Sequence, residues 1–183
     1  MYFDTIIAGF GGQGVMFIGN LLALAGMEED KNTTYMPVYG VEMRGGTANC
    51  TVVISDEEIG SPITNTPVSA IVMNLPSLEK FGPRVAKKGL LIVNSSLVDM
   101  KAADFKSLDI LGVPAIELAR EAAGRDQLAN MIMLGSLVEK SKVVSLDSVM
   151  KALEGSLPKR YHSMLPINRK ALEAGARFAR NGA

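Results

Sequence analysis

The stretch Thr5-Ile6-Ile7-Ala8-Gly9-Phe10-Gly11-Gly12-Gln13-Gly14-Val15 constrains this chain more than any other. Thr5 to Ala8 reads as a buried strand, and from Gln13 to Met27 the apolar residues Val15, Ile18, Leu22 and Met27 recur at helical spacing. The glycines therefore sit at a strand-to-helix turn, and Gly9, Gly11 and Gly14 satisfy the G-x-G-x-x-G spacing. Such a turn frees backbone N–H groups at the helix start, where the positive end of the helix dipole favours an anion. Gly9, Gly11, Gly12, Gln13 and Gly14 are accordingly candidate ligand-binding residues. A Gly12→Ala change would test the loop at little cost to the fold, provided that Gly12 has a negative φ.

A nicotinamide-binding unit carries an acidic residue about 20 residues on, at the end of its second strand, to hold the adenosine ribose. Here the second strand, Thr33 to Val38, runs into Tyr39-Gly40 with no carboxylate, and Glu28, Glu29 and Asp30 fall where the first helix ends. Two readings of the glycines stay open: a cradle for another anionic ligand, or a turn that serves packing alone.

The second glycine loop, Gly40-Val41-Glu42-Met43-Arg44-Gly45-Gly46-Thr47, adds a charge. Arg44, flanked by Met43 and two glycines, can present its planar fork to a phosphate or carboxylate, or it can pair with Glu42 within the chain. Gln13 and Asn20 are candidates for orienting the loop or a ligand. Ser95-Ser96 could touch the same site or cap a helix.

Further along, Ala48 to Ile54 is a β-branched strand closed by the turn Ser55-Asp56-Glu57-Glu58, and Ala70 to Leu75 is an apolar run of the kind buried on both faces. A helix is expected from Pro76 through a kink at Pro83 to Lys88, then strands at Leu90–Asn94 and Ile110–Val113. The segments 115–120, 126–140, 146–153 and 167–180 read as helical. Alternating strands and helices predict an α/β fold, a three-layer Rossmann-like domain with a mostly parallel sheet made mixed by the Ala48–Pro67 stretch. Both glycine loops follow strands, so they should share the sheet edge where ligands bind.

At 183 residues the chain suits one domain, residues 1–183, able to bury about 70% of its unfolded surface. Its 19 basic and 19 acidic residues cancel, which suggests neither a nucleic-acid nor a membrane-surface partner. Eleven methionines fit a chain that buries surface against partner subunits, and they fit an ordinary core equally. The single cysteine, Cys50, excludes an internal disulfide and any four-cysteine cluster within the chain, in keeping with a cytoplasmic setting. Residues 1–8 carry Asp4 and are too short for a signal peptide, and no apolar run reaches the length of a membrane span. His162, beside Lys159, Arg160 and Tyr161, reads as a surface residue. No catalytic set and no metal-ligand cluster emerges, so the chain looks built to hold something rather than to do chemistry alone.

Taken together, Gly9 to Val15, Leu24-Ala25-Gly26, Thr34 to Ala48 and Val53-Ile54-Ser55-Asp56 resemble the gamma subunit of 2-oxoacid:ferredoxin oxidoreductases, the family that includes the pyruvate:ferredoxin oxidoreductase gamma domain. The likeness covers roughly the first third of the chain and is greatest to the 2-oxoglutarate and 2-oxoisovalerate enzymes; a subunit of indolepyruvate oxidoreductase has a similar glycine loop. The resemblance implies a complex that oxidatively decarboxylates a 2-oxoacid on thiamine diphosphate and magnesium. It also implies that electrons pass through iron–sulfur clusters to ferredoxin and that the acyl group goes to coenzyme A. The implied partners are alpha and beta chains, with or without a delta chain; thiamine diphosphate would lie between alpha and beta, and the clusters would be carried by beta or by a ferredoxin-like delta chain. This chain would then be structural, or help form the coenzyme A site through Gly9, Gly11, Gly12, Gln13, Gly14 and Arg44, and be inactive alone. A free-standing nucleotide-binding oxidoreductase is the competing class.

Overall fold

The computed structural model describes residues 1–39 and 47–182. Six strands form its sheet: β1 (Tyr2–Phe10), β2 (Asn32–Tyr39), β3 (Thr47–Ser55), β4 (Ser69–Val72), β5 (Leu90–Asn94) and β6 (Asp109–Val113). The helices are α1 (Val15–Met27), α2 (Leu75–Phe81), α3 (Ala115–Ala123), α4 (Ala129–Ser141), α5 (Leu146–Ser156) and α6 (Leu165–Asn181). Strand order is β2-β3-β1-β4-β5-β6. β4, β5 and β6 run parallel to β1, whereas β3 is antiparallel to both β1 and β2. Five strands thus share one direction, and the mostly parallel, mixed sheet expected from the sequence is the one found.

Side-chain alternation along the buried strands creates two cores. Ile7, Cys50, Ile71 and Ile92 face a thick layer of α1, α3, α4, α5 and α6. Ile6, Ala8, Val72 and Val93 face the other way, onto α2 and the segment around Val98. α1 buries residues on several sides, Val15, Ile18, Leu21, Leu22 and Ala25 among them, because it lies between the sheet and the outer helices. α4 and α6 cross in backbone contact: a Cβ on Gly135 would stand 2.0 Å from the Leu172 carbonyl oxygen, and one on Gly175 1.9 Å from that of Ile132.

Two expectations need correction. The helix foreseen from Pro76 to Lys88 stops at Phe81 and tightens into a single 3₁₀ turn, Gly82–Arg84, after which Val85 is extended. Pro83 has no N–H to carry an α-helical ladder onward. The first helix starts at Val15, so Gln13 belongs to the loop and not to the helix. The sequence also concealed that β3 lies between β1 and β2, so the chain opens without a side-by-side parallel pair.

Candidate functional site

The carboxyl ends of β1, β4 and β5 converge on the glycine loop. β1 ends at Phe10, and Gly14 caps α1 in the left-handed conformation, with φ 73° and ψ 18°. Gly12 has φ 99°. Both positions favour glycine on backbone grounds, so the negative φ that would make Gly12→Ala a mild change is not found. The first helical hydrogen bond runs from the Ile18 N–H to the Gly14 carbonyl at 3.1 Å, which leaves the N–H groups of Val15, Met16 and Phe17 without a helical acceptor.

Gly9 is needed for a different reason. A Cβ there would lie 2.7 Å from Gln13 Oε1 and 2.9 Å from Val15 Cγ1, so the absent side chain makes room for Gln13 to fold back over the loop. Gln13 Oε1 accepts from the Phe10 N–H at 2.7 Å and from Asn74 Nδ2 at 3.0 Å. Asn74 in turn accepts from the Ser77 N–H at 3.0 Å, capping α2. Gln13 therefore ties the glycine loop to the helix on the far side of the sheet.

The next strand ends in the same way. Asn94, fully buried, donates to the Met73 carbonyl at 3.4 Å and accepts from the Ser96 N–H at 3.3 Å. Ser96 Oγ accepts from the Ile116 N–H at 3.0 Å and donates to Glu117, which holds that carboxyl below its usual range. The capping role anticipated for Ser95-Ser96 falls to Ser96, at the start of α3. Sequence reasoning missed Asn74, Asn94 and Asn130 as residues of this edge. A signal for two of them was present, since Val72-Met73-Asn74 and Ile92-Val93-Asn94 both close an apolar run with asparagine.

Two cavities flank the loop. One of about 240 Å³ is lined by Gly12, Gln13, Met73, Asn94, Ile116 and Asn130 among others. The second, of about 280 Å³, lies toward β2 and is bordered by Phe10, Gly12, Gly14, Phe17 and Tyr39. Tyr39 is 71% exposed. The end of β2 and the first glycine loop thus border one cavity, while residues 40–46 of the second glycine loop lie outside the described residues. Arg44 and Glu42 lie outside the described residues. Asn20 is exposed on α1 and lines neither cavity.

In a dinucleotide-binding fold the second strand lies beside the first, so its terminal carboxylate reaches the ribose. Here Ala48 and Thr47 of β3 pair with Gly9 and Phe10 and take that place. The other singled-out residues are structural. Cys50 is sealed against α1, its Sγ 3.6 Å from the Val15 carbonyl oxygen and its pKa pushed up to about 12 by burial. His162 is half-buried, its Nε2 2.9 Å from the Leu157 carbonyl oxygen. Among the described residues no cluster of His, Cys, Asp and Glu is placed to hold a metal, and no helix is long and apolar enough to cross a membrane.

Residues 4–178 match the family model described as pyruvate ferredoxin/flavodoxin oxidoreductase. Ketoisovalerate oxidoreductase subunit VorA of Methanothermobacter thermautotrophicus is 39% identical over 176 residues, which is 95% of this chain and 36% of the relative. The chain therefore spans about a third of that relative's length. The gamma subunit of a keto/oxoacid ferredoxin oxidoreductase from Geobacter sulfurreducens superposes with a TM-score of 0.83 at 26% identity, covering 98% of this chain and 99% of that one. The 2-oxoglutarate:ferredoxin oxidoreductase from Magnetococcus marinus, solved with 2-oxoglutarate, coenzyme A and succinyl-CoA bound, gives a TM-score of 0.88 over 98% of this chain and 31% of its own. At 20% identity it speaks for the fold alone.

Proposed function

The chain belongs to the pyruvate ferredoxin/flavodoxin oxidoreductase family, and from that premise we propose that it is the gamma subunit of a multisubunit 2-oxoacid:ferredoxin oxidoreductase. In this reading it completes a complex with alpha and beta chains, with or without a delta chain, in the cytoplasm. That complex converts a 2-oxoacid to its acyl-coenzyme A and reduces ferredoxin. The observation that carries the proposal is the family match over residues 4–178, which takes in the sheet but for the first two residues of β1 and the six helices but for the last three residues of α6.

The residues present do not fit an iron–sulfur cluster, because the one thiol of the chain is buried beneath α1. No step of the chemistry is assigned to this chain. What its loop can supply is a set of backbone donors at a helix start, suited to the phosphate portion of coenzyme A, with Arg44 proposed as a further contact. The missing carboxylate at the end of β2, and the placing of β3 beside β1, argue against a free-standing nicotinamide enzyme.

Co-expression with the alpha and beta chains tests the proposal. The three should co-purify and turn over a 2-oxoacid with coenzyme A and an electron acceptor. This polypeptide alone, given thiamine diphosphate and magnesium, should not. Turnover by the purified single chain would overturn the subunit assignment.

A further inference from the structure

Helix α1 packs against the sheet on one side and against α4 and α5 on another, and a third face stays open to solvent. On that face Phe17 and Met27 are 38% and 59% exposed, Asn20 is exposed, and Met16 and Leu24 are half-buried. Phe17, Asn20, Leu24 and Met27 follow one another at spacings of three, four and three, the heptad rhythm that lines side chains along one stripe of a helix. β2 runs beside this helix, where the Tyr35 hydroxyl donates to the Met16 carbonyl at 3.1 Å. None of the 13 residues of α1 is charged, and none of the 8 in β2, in a chain where 21% of residues are. A solvent-facing helix stripe ordinarily carries charges, and their absence is the mark of the buried centre of an interface.

The two ends of the stripe select its occupant. The first turn of α1 holds no acidic residue and its last turn no basic one, and the helix start has no side-chain cap. Just past the last turn stand Glu28 and Asp30, both exposed. These carboxylates lie at the negative end of their own helix dipole, where they are disfavoured. A second α1 running the other way complements both ends at once. Centred between Asn20 and Leu24, that pairing sets Phe17 against Met27 and Asn20 against Leu24, and it brings Glu28 of each copy toward the first turn of the other. A parallel pairing would crowd the carboxylates of both copies together. Sheet extension through β2, the edge strand, is blunted by Pro37, which has no N–H to donate.

We propose that this chain pairs with a second copy of itself through the exposed stripe of α1, the two helices lying antiparallel about a two-fold axis. The contact is isologous, so each side-chain pair is made twice. A 13-residue helix is about 20 Å long, which puts the contact at the small end of specific interfaces, where association is weak and reversible. Asn20, the one polar side chain of the stripe, faces Leu24 of the second copy and holds the affinity down further.

Sedimentation velocity of the purified full chain, from low to high micromolar concentration, tests this. Wild type should pass from monomer to dimer across that range. Phe17→Glu and Met27→Lys each put a charge against an apolar side chain of the other copy, twice over, and each should weaken pairing about fivefold or more. Both suit the dipole of their own helix, so the variants should fold, which circular dichroism checks. Combined in one chain, they set opposite charges face to face across the axis and should restore association. The two sites are about 15 Å apart along one helix, so the new charges cannot pair within a chain. Asn20→Leu should tighten the dimer about threefold or more. A wild-type chain that stays monomeric, a dimer that Met27→Lys leaves intact, or a double variant no better than the single ones overturns the proposal. If the monomeric chain loses co-purification with alpha and beta chains on Met27→Lys, the stripe belongs to a partner subunit instead.

Discussion

Gly14 and Asn130 lie 116 positions apart in the chain and occupy one site: the amide of one fills the space where a side chain of the other would be, with Nδ2 2.2 Å from an ideal Gly14 Cβ. Gly14 is thus held to glycine twice, by its φ of 73° and by that contact. Gly12 is held once, by φ alone, since an added Cβ would meet nothing within 4 Å.

The two glycines should therefore separate in a stability measurement. Gly12→Ala is expected to cost about 1–2 kcal/mol, the usual penalty for a left-handed residue with a side chain. Gly14→Ala should cost about 3 kcal/mol or more, because overpacking is added. Combining Gly14→Ala with Asn130→Ala should recover about 1–2 kcal/mol of that loss, in a double-mutant cycle read by urea denaturation. Equal costs for the two single variants would show that the Asn130 contact is not made.

A second prediction concerns acid. Glu139, on α4, accepts from both arms of Arg180 on α6, at 3.1 and 2.9 Å, and pairs with Lys142; these contacts hold its carboxyl at about 2 against an ordinary 4.5. The folded form thus prefers the ionised carboxylate. The stabilisation is complete above about pH 4.5 and is lost as pH falls toward 2. Arg180 and Lys142 are 62% and 67% exposed, so screening reduces the effect to about 1 kcal/mol. Glu139→Gln should lower stability by about that much at pH 7, with wild type and variant converging on acidification. Urea midpoints measured from pH 7 to 2.5 check this, and a gap that widened in acid would contradict it.

Much of this architecture was legible because it is local. The β-branched and apolar runs marked the strands, Leu90–Asn94 to the residue, and the glycine spacing put a strand-to-helix turn at a sheet edge. Strand pairing is not local. β3 separates β2 from β1 because its register buries Cys50, Val52 and Ile54 under α1, a match that depends on three elements at once. The site divides along the same line. Gly9 and Gln13 stood out from spacing, but Asn130 comes from the start of a later helix, and no pattern near it points back to the loop.

Cys50 gives a third prediction. Burial pushes its thiol up to about 12, and Gly19 packs so closely that a Cβ there would lie 2.2 Å from Sγ. The thiolate is the reacting form, so at neutral pH a disulfide reagent should find almost none of it in the folded chain. Labelling should be complete in denaturant and, under native conditions, should proceed only as fast as the chain opens. Rapid stoichiometric labelling of the native chain would mean that the α1–β3 contact is loose. Gly19→Ala should loosen it and speed the reaction.

The last prediction tests the crossing of α4 and α6, where glycine serves close approach and not φ. An added methyl group at Gly135 would meet the Leu172 carbonyl oxygen at 2.0 Å, and one at Gly175 the Ile132 carbonyl oxygen at 1.9 Å. The obstacles are backbone atoms in the middle of helices, so no side-chain rotation can relieve the clash; the helices must separate. Separation would break the 3.0 Å bond from Ser136 Oγ to the Gly175 carbonyl and open the packing around Ile132 and Leu172, both fully buried. In an isolated helix, alanine for glycine gains about 1 kcal/mol. Here the lost packing should dominate, making Gly135→Ala and Gly175→Ala each destabilising by about 3 kcal/mol or more. Because α4 also carries Asn130, either change should shift the NMR signals of the Asn130 side-chain amide, although neither glycine touches the cavity. Thermal denaturation and ¹⁵N NMR spectra of the side-chain amides check both parts, and a variant as stable as wild type would show that the two helices do not meet at backbone distance.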